Sequence, residues 1–214
     1  MKTQTITIHK QTFVLHPSGA LYWEQRAMLL IADVHLGKVT HFRKHGSAVP
    51  QSAIIQNFVQ LDTVTQYFQP KTICFLGDLF HSHLNTEWLL FESWVKEQKA
   101  TIVLIVGNHD IIEPLRYKKL GIHITDQWQL DSIFLTHHPE IKSQLYNIAG
   151  HIHPGVQLRG LGKQFLKVSC FLKREEQMIV PAFGTFTGNY IIQPEAQDQI
   201  FVITQDEVIK IYTS

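Results

Sequence analysis

Five short apolar runs, each cut off abruptly by Asp, Asn, His or Gly, constrain this chain more than any other feature. They cover residues 28–32, 72–76, 101–106, 132–136 and 145–149. Each is near-continuous and rich in branched or aromatic residues, as strands buried on both faces are. Two helical patterns separate the first three runs. Ile54, Phe58, Leu61, Val64 and Phe68 recur every three or four positions and predict a helix over 52–68. Residues 85–99 repeat the pattern more weakly through Trp88, Leu89, Phe91, Trp94 and Val95. Strands alternating with helices in this way build parallel sheets with crossover connections.

The two ends read differently. Residues 3–9 and 12–15 alternate and predict an edge hairpin, and 165–171, 177–182, 200–204 and 207–212 predict further strands without long helices. A front half of parallel strands and a back half of antiparallel ones pack economically as an α/β fold. Two mixed sheets stack face to face with helices outside, as one domain over residues 1–214. A hydrophobic content of 44% with a net charge of +1 excludes disorder. No apolar stretch approaches the roughly 18 residues of a membrane span. The first residues lack the apolar core of a signal peptide, and only Cys74 and Cys170 are present. Both facts point to the cytoplasm. Trp23, Trp88, Trp94 and Trp128 are expected to pack inside, and His9 and His123 to be structural.

The ends of the runs carry the chemistry. In order they read Asp33-Val34-His35, Gly77-Asp78-Leu79-Phe80-His81, Gly107-Asn108-His109-Asp110, His137-His138 and Gly150-His151-Ile152-His153. Carboxylate, amide and imidazole without thiolate suit hard-to-borderline divalent metals. Ligands bind beyond the carboxyl ends of parallel strands, so the first three groups should converge at one edge. If the strands persist, Asp33 and His35 share a face, as do His151 and His153. Gly77, Gly107 and Gly150 allow the backbone close to an ion or phosphate.

This order of motifs resembles the calcineurin-like metallophosphoesterase superfamily across residues 28–153. The resemblance implies that superfamily's four-layer sandwich of two mixed sheets and flanking helices. It implies two divalent cations, manganese first, with iron, zinc and cobalt also compatible. One would be held by Asp33, His35, Asp78 and His153, the other by Asp78, Asn108, His137 and His151, with Asp78 shared. His109 falls at the catalytic histidine, and Asn108 also lies where it would touch substrate. Many members carry an acid three places after the bridging aspartate. His81 stands there instead, which leaves open whether Asp110 or another group orients His109. The segment 77–81 is similar to a double-strand-break-repair nuclease branch that places a histidine near the scissile phosphate. Residues 30–38, 41–46, 49–50, 77–83 and 181–188 resemble small bacterial ligase-associated DNA-damage-response phosphoesterases of the PdeM type. Those associate by genetic context with a DNA ligase and a helicase.

Charge placement adds to this. Residues 34–61 and 141–174 hold Lys38, Arg43, Lys44, Lys142, Arg159, Lys163, Lys167, Lys173 and Arg174 and no acid. Cations beside a phosphate-cleaving centre suit a polyphosphate backbone, and Arg43 is the candidate phosphate grip. A phosphodiesterase acting on DNA in repair is the first expectation. A small-molecule phosphodiesterase or phosphatase, and a non-catalytic scaffold of the same fold, stay open.

Overall fold

The structure is a computed structural model and describes residues 1–40, 52–81, 84–160, 162 and 164–211. The chain opens with strands β1 (Gln4–Ile8), β2 (Gln11–Leu15), β3 (Leu21–Trp23) and β4 (Met28–Ile31). Helix α1 (Ser52–Phe68), strand β5 (Thr72–Leu76), helix α2 (Thr86–Glu97), strand β6 (Thr101–Ile105), helix α3 (Pro114–Lys119) and strand β7 (His123–Thr125) follow. These seven strands form one sheet in sequence order, antiparallel from β1 to β4 and parallel from β4 to β7.

The parallel strands alternate between two cores, because successive side chains leave a strand on opposite faces. Leu29 and Ile31, Ile73 and Phe75, Ile102 and Leu104 face the helices, meeting Leu61 and Val64 of α1, Trp88, Phe91 and Trp94 of α2, and Tyr117 of α3. Leu30, Cys74 and Val103 face the other way, into a core shared with the second sheet. Trp23, Trp88 and Trp94 are buried, and Cys74 and Cys170 are buried free thiols. No described helix is long and apolar enough to cross a membrane.

The second sheet comprises β8 (Gln127–Leu130), β9 (Ile133–Thr136), β10 (Tyr146–Ala149), β11 (Pro154–Arg159), β12 (Phe165–Lys173), β13 (Gln177–Ile179), β14 (Tyr190–Ile191), β15 (Gln199–Ile203) and β16 (Val208–Ile211). Ile133, Leu135, Tyr146, Ile148, Phe171, Met178 and Phe201 supply its half of the shared core. Its outer face carries a smaller cluster including Val156, Leu172, Ile179 and Ile192. The described helices all pack on the first sheet, and the chain around Ile192 covers part of the second.

The fourth and fifth apolar runs do not extend the first sheet. They become β9 and β10, paired in parallel within the second sheet. Residues 137–145 between them contain no helix. Buried Asn147 holds this tight connection: its amide donates to Phe134 O (2.9 Å) and Thr136 Oγ1 (2.8 Å), and its Oδ1 accepts from Glu140 N (3.0 Å).

Buried His16, at the end of β2, packs between Tyr67 and Phe68. Its Nδ1 accepts the Ser18 amide, so the proton sits on Nε2. Burial holds its pKa down to about 4 against an ordinary 6.5. The native state therefore binds fewer protons than the unfolded chain between those values, and stability present above pH 6.5 is lost as pH falls towards 4. His16→Phe should lose about 2 kcal/mol less than the parent between pH 7 and pH 4, read from urea unfolding.

Candidate metal centre

The loops after β4 and β5 are zipped together beyond the sheet. The amides of Asp33, His35 and Leu36 donate to the carbonyls of Gly77, Asp78 and Leu79, and His81 N donates back to Leu36 O. From the other sheet, residues 182–184 cross over: Phe183 N donates to Ala32 O and Gly184 N to Asp33 O. Asn57, on the apolar face of α1, accepts from both the amide and the hydroxyl of Thr185. Buried Glu87, at the start of α2, accepts from Gly37 N (2.7 Å) and from the amide and hydroxyl of Thr40. The candidate ligands thus sit on loops tied to three neighbouring elements.

Strand pleating does not bring Asp33 beside His35, or His151 beside His153. The strands end first, and all four residues, with Asp78, adopt left-handed backbone, at φ 54°, 50°, 67°, 51° and 51° for Asp33, His35, His151, His153 and Asp78. Such conformations cost about 1–3 kcal/mol each outside glycine and persist only where surroundings over-determine them. The glycines serve the ligands more than the ion. A Cβ on Gly77 would lie 2.2 Å from His137 Nδ1, one on Gly107 2.2 Å from Asp78 Oδ1, and one on Gly150 2.6 Å from Asp33 Oδ2.

Two donor clusters result. In the first, Asp33 Oδ2 accepts the His151 amide (2.9 Å), while Oδ1 is buried without a hydrogen-bond donor. His153 Nδ1 lies 3.2 Å from Gly188 O and donates there, which turns Nε2 inward. That nitrogen lies 3.2 Å from Asp33 Oδ1 and 3.3 Å from His35 Nε2. Burial above all holds the His35 pKa down to about 2, leaving the ring neutral. Two imidazole nitrogens and a buried carboxylate oxygen converge here, and a divalent cation among them would be held by all three. The residues fit a divalent metal.

In the second cluster, His137 Nδ1 donates to Leu76 O (2.9 Å), turning Nε2 inward. Nε2 lies 3.0 Å from Asn108 Oδ1, 3.2 Å from His151 Nδ1 and 3.5 Å from Asp78 Oδ1. Asp78 joins the clusters, its other oxygen 3.8 Å from His35 Nε2. The seven expected ligands, Asp33, His35, Asp78, Asn108, His137, His151 and His153, therefore come together. His138, exposed beside His151 at a ring separation of 4.0 Å, adds an imidazole that the pattern of runs left unassigned.

The expected catalytic residues divide. The His109 amide donates to Asp78 Oδ1 (2.9 Å), and its ring stands 4.7 Å from that of His81 and 5.6 Å from that of His35. The bonds of Asp110 go to backbone amides and not to the His109 ring. Its oxygens accept the amides of Gly107 (2.9 Å) and Phe80 (3.1 Å), so it pins the β5 and β6 loops together. Burial pushes its pKa up to about 6, against the pull of those amides. Arg43 lies outside the described residues. Glu87 and Asn57 were not foreseen as supports; the available signals were an acid just after the helix cap Asn85 and an amide on the apolar stripe of α1.

Residues 27–175 match the calcineurin-like phosphoesterase family model, and the chain belongs to that family. It is a metal-dependent phosphoric ester hydrolase. Among solved structures it is similar to the nuclease MPE of Pseudomonas putida, at 29% identity and a TM-score of 0.85. That match covers 98% of this chain and 100% of the other. A protein of unknown function from Aquifex aeolicus matches at 20% identity and a TM-score of 0.42, over 59% of this chain and 78% of its own. No curated protein sequence matches.

Gly107→Ala should weaken binding of the second cation at least 10-fold, since the added Cβ would fall 2.2 Å from Asp78 Oδ1 and 2.3 Å from Asp78 N, so that the shared carboxylate and its loop must shift. Calorimetric titration of the metal-free protein with Mn²⁺ reads this directly. Unchanged affinity at both sites would show that Asp78 need not hold its described position.

Proposed function

We propose that this phosphoesterase hydrolyses phosphodiester bonds in DNA, with two divalent cations, manganese first, and that it serves in DNA repair. The observation that carries two-metal phosphoester hydrolysis is Asp78, which offers one oxygen to each imidazole cluster, at 3.8 Å from His35 and 3.5 Å from His137. A shared carboxylate is what two cations about 3.5–4 Å apart require. The DNA substrate draws on the similarity, over nearly full length, to a protein called a nuclease. A DNA ligase and a helicase are the partners proposed on family context.

When bound, paired cations supply Lewis acidity and a nucleophilic water near neutral pH. The chain's own residues do the rest. Asp33, His35, Asp78, Asn108, His137, His151 and His153 hold the cations, and backbone bonds fix four of these side chains or their neighbours. Asn108, exposed at the rim, and His81 contact the substrate phosphate. His109, held through its amide to Asp78, protonates the departing oxygen as an imidazolium. Asp110 acts at a distance by keeping the two loops in register.

Purified protein supplied with Mn²⁺ should cleave plasmid DNA and bis-p-nitrophenyl phosphate and turn over p-nitrophenyl phosphate slowly. Hydrolysis confined to the monoester would replace this reading with a phosphatase, and cleavage of the small diester without DNA would replace it with a small-molecule phosphodiesterase. His109→Ala should keep both cations and lose about 10²–10⁴-fold in turnover. Asp78→Ala should lose metal itself by elemental analysis; full occupancy there would contradict a bridging role.

A further inference from the structure

β11 begins at Pro154, one residue after His153, and runs out with β12 as a two-stranded antiparallel ribbon. Cα partners in such a ladder put their side chains on the same face. The register pairs Gln157 with Lys167 and Arg159 with Phe165, so these four share a face, and all are exposed. The reverse face carries Val156, Leu158 and Val168 against the outer apolar cluster. The reverse face thus meets the body through Val156, Leu158 and Val168, with Leu166 exposed opposite Leu158, while the other face is polar, basic and aromatic.

The fate of the acid-free stretches sharpens this. Arg174 is paired with Glu195 (3.3 Å) and Asp198 (3.2 Å). Lys142 lies over the Phe134 ring at 4.6 Å. Lys173 is half-buried, and Lys38 is half-buried beside the Asp78 charge. Arg43, Lys44 and Lys163 lie outside the described residues. Arg159 and Lys167 have no acidic partner among the described residues, and Arg159 lies 5.7 Å from the Phe165 ring centroid. Phe165 itself is 56% exposed.

The exposed face is continuous with the metal centre. At its base Ser169 Oγ donates to Asn189 Oδ1 (3.0 Å), and the preceding residue, Gly188, provides the carbonyl that fixes His153. Six residues of β11 reach roughly 20 Å, while each DNA strand carries a charge about every 3.4 Å of helix axis. Resting on the DNA reading above, we propose that the β11–β12 ribbon is a polynucleotide-binding arm. Arg159 and Lys167 grip phosphates flanking the scissile one, and the Phe165 ring packs on a base. A free cation pair suits a polyanion, and an exposed ring between them gives a stacking surface. A small diester reaches only the metal centre.

The test compares KM for DNA with KM for bis-p-nitrophenyl phosphate, in Mn²⁺, across salt concentrations. In the double variant Arg159→Ala/Lys167→Ala the DNA KM should rise 10–100-fold relative to that for the small diester. The slope of log kcat/KM for DNA against log salt should become shallower by about 1.4–1.8, since each lost phosphate contact removes roughly 0.7–0.9. Phe165→Ala should raise the same ratio about 5–100-fold with the slope unchanged. Lys167→Glu, at an exposed position, serves as an independent second variant and should exceed Lys167→Ala. If all four variants cleave DNA with the parent's ratio and slope, the arm is overturned and the DNA reading stands. If the parent turns over the small diester and neither binds nor cleaves DNA, both fall together.

Discussion

Asp78 has to serve two imidazole clusters at once, and most of the local architecture answers to that demand. Its carboxylate lies between His35 and His137, its backbone is left-handed, and Gly107 packs so close that no Cβ would fit. One oxygen also accepts the His109 amide. A side chain with this many obligations has no freedom to rotate. Geometry that in solution would have to be searched for is already present.

Holding such a residue requires help from outside its own strand. Asp110 ties the Gly107 and Phe80 amides, Glu87 ties the loop after β4 to α2, and Asn57 ties the 181–188 segment to α1. Each is a buried or half-buried polar group that accepts backbone amides, and Glu87 and Asn57 each take a threonine hydroxyl as well. A satisfied group of this kind contributes roughly 0.5–1.5 kcal/mol per bond and costs more if one partner is removed. Together they hold the loops that carry the five left-handed ligand residues. Rigidity here comes from the second row of side chains as much as from the ligands.

Much of this was legible in the residues alone, and the limits are physical. The five apolar runs became strands within a residue or so at each end, because burial on both faces leaves few residue types to choose from. The helix over 52–68 was found in place, its stripe being strong and long. The short elements β3, β7, β8, β14 and α3 have too few residues for a period to show. Sheet membership of β9 and β10 was also hidden, since parallel pairing without a helix depends on Asn147 and not on any repeat. The ligands were visible through their positions after the runs. How they meet was not, because left-handed Asp and His leave no mark in composition. The place of Asp110 was hidden for a related reason: its neighbour in sequence is His109, but one of its bonds runs across to Phe80 in another loop.

The ligands also come from both halves of the sandwich. Asp33, His35, Asp78 and Asn108 follow strands of the first sheet, and His137, His151 and His153 follow strands of the second. Residues more than a hundred positions apart would share one ion, which makes the ion a rivet between two layers. Such a rivet binds only the assembled body and favours it by RT ln(1 + [M]/Kd). The thermal midpoint of this enzyme should therefore track the free metal of its surroundings, so that starvation for the ion loosens the body as well as silencing it.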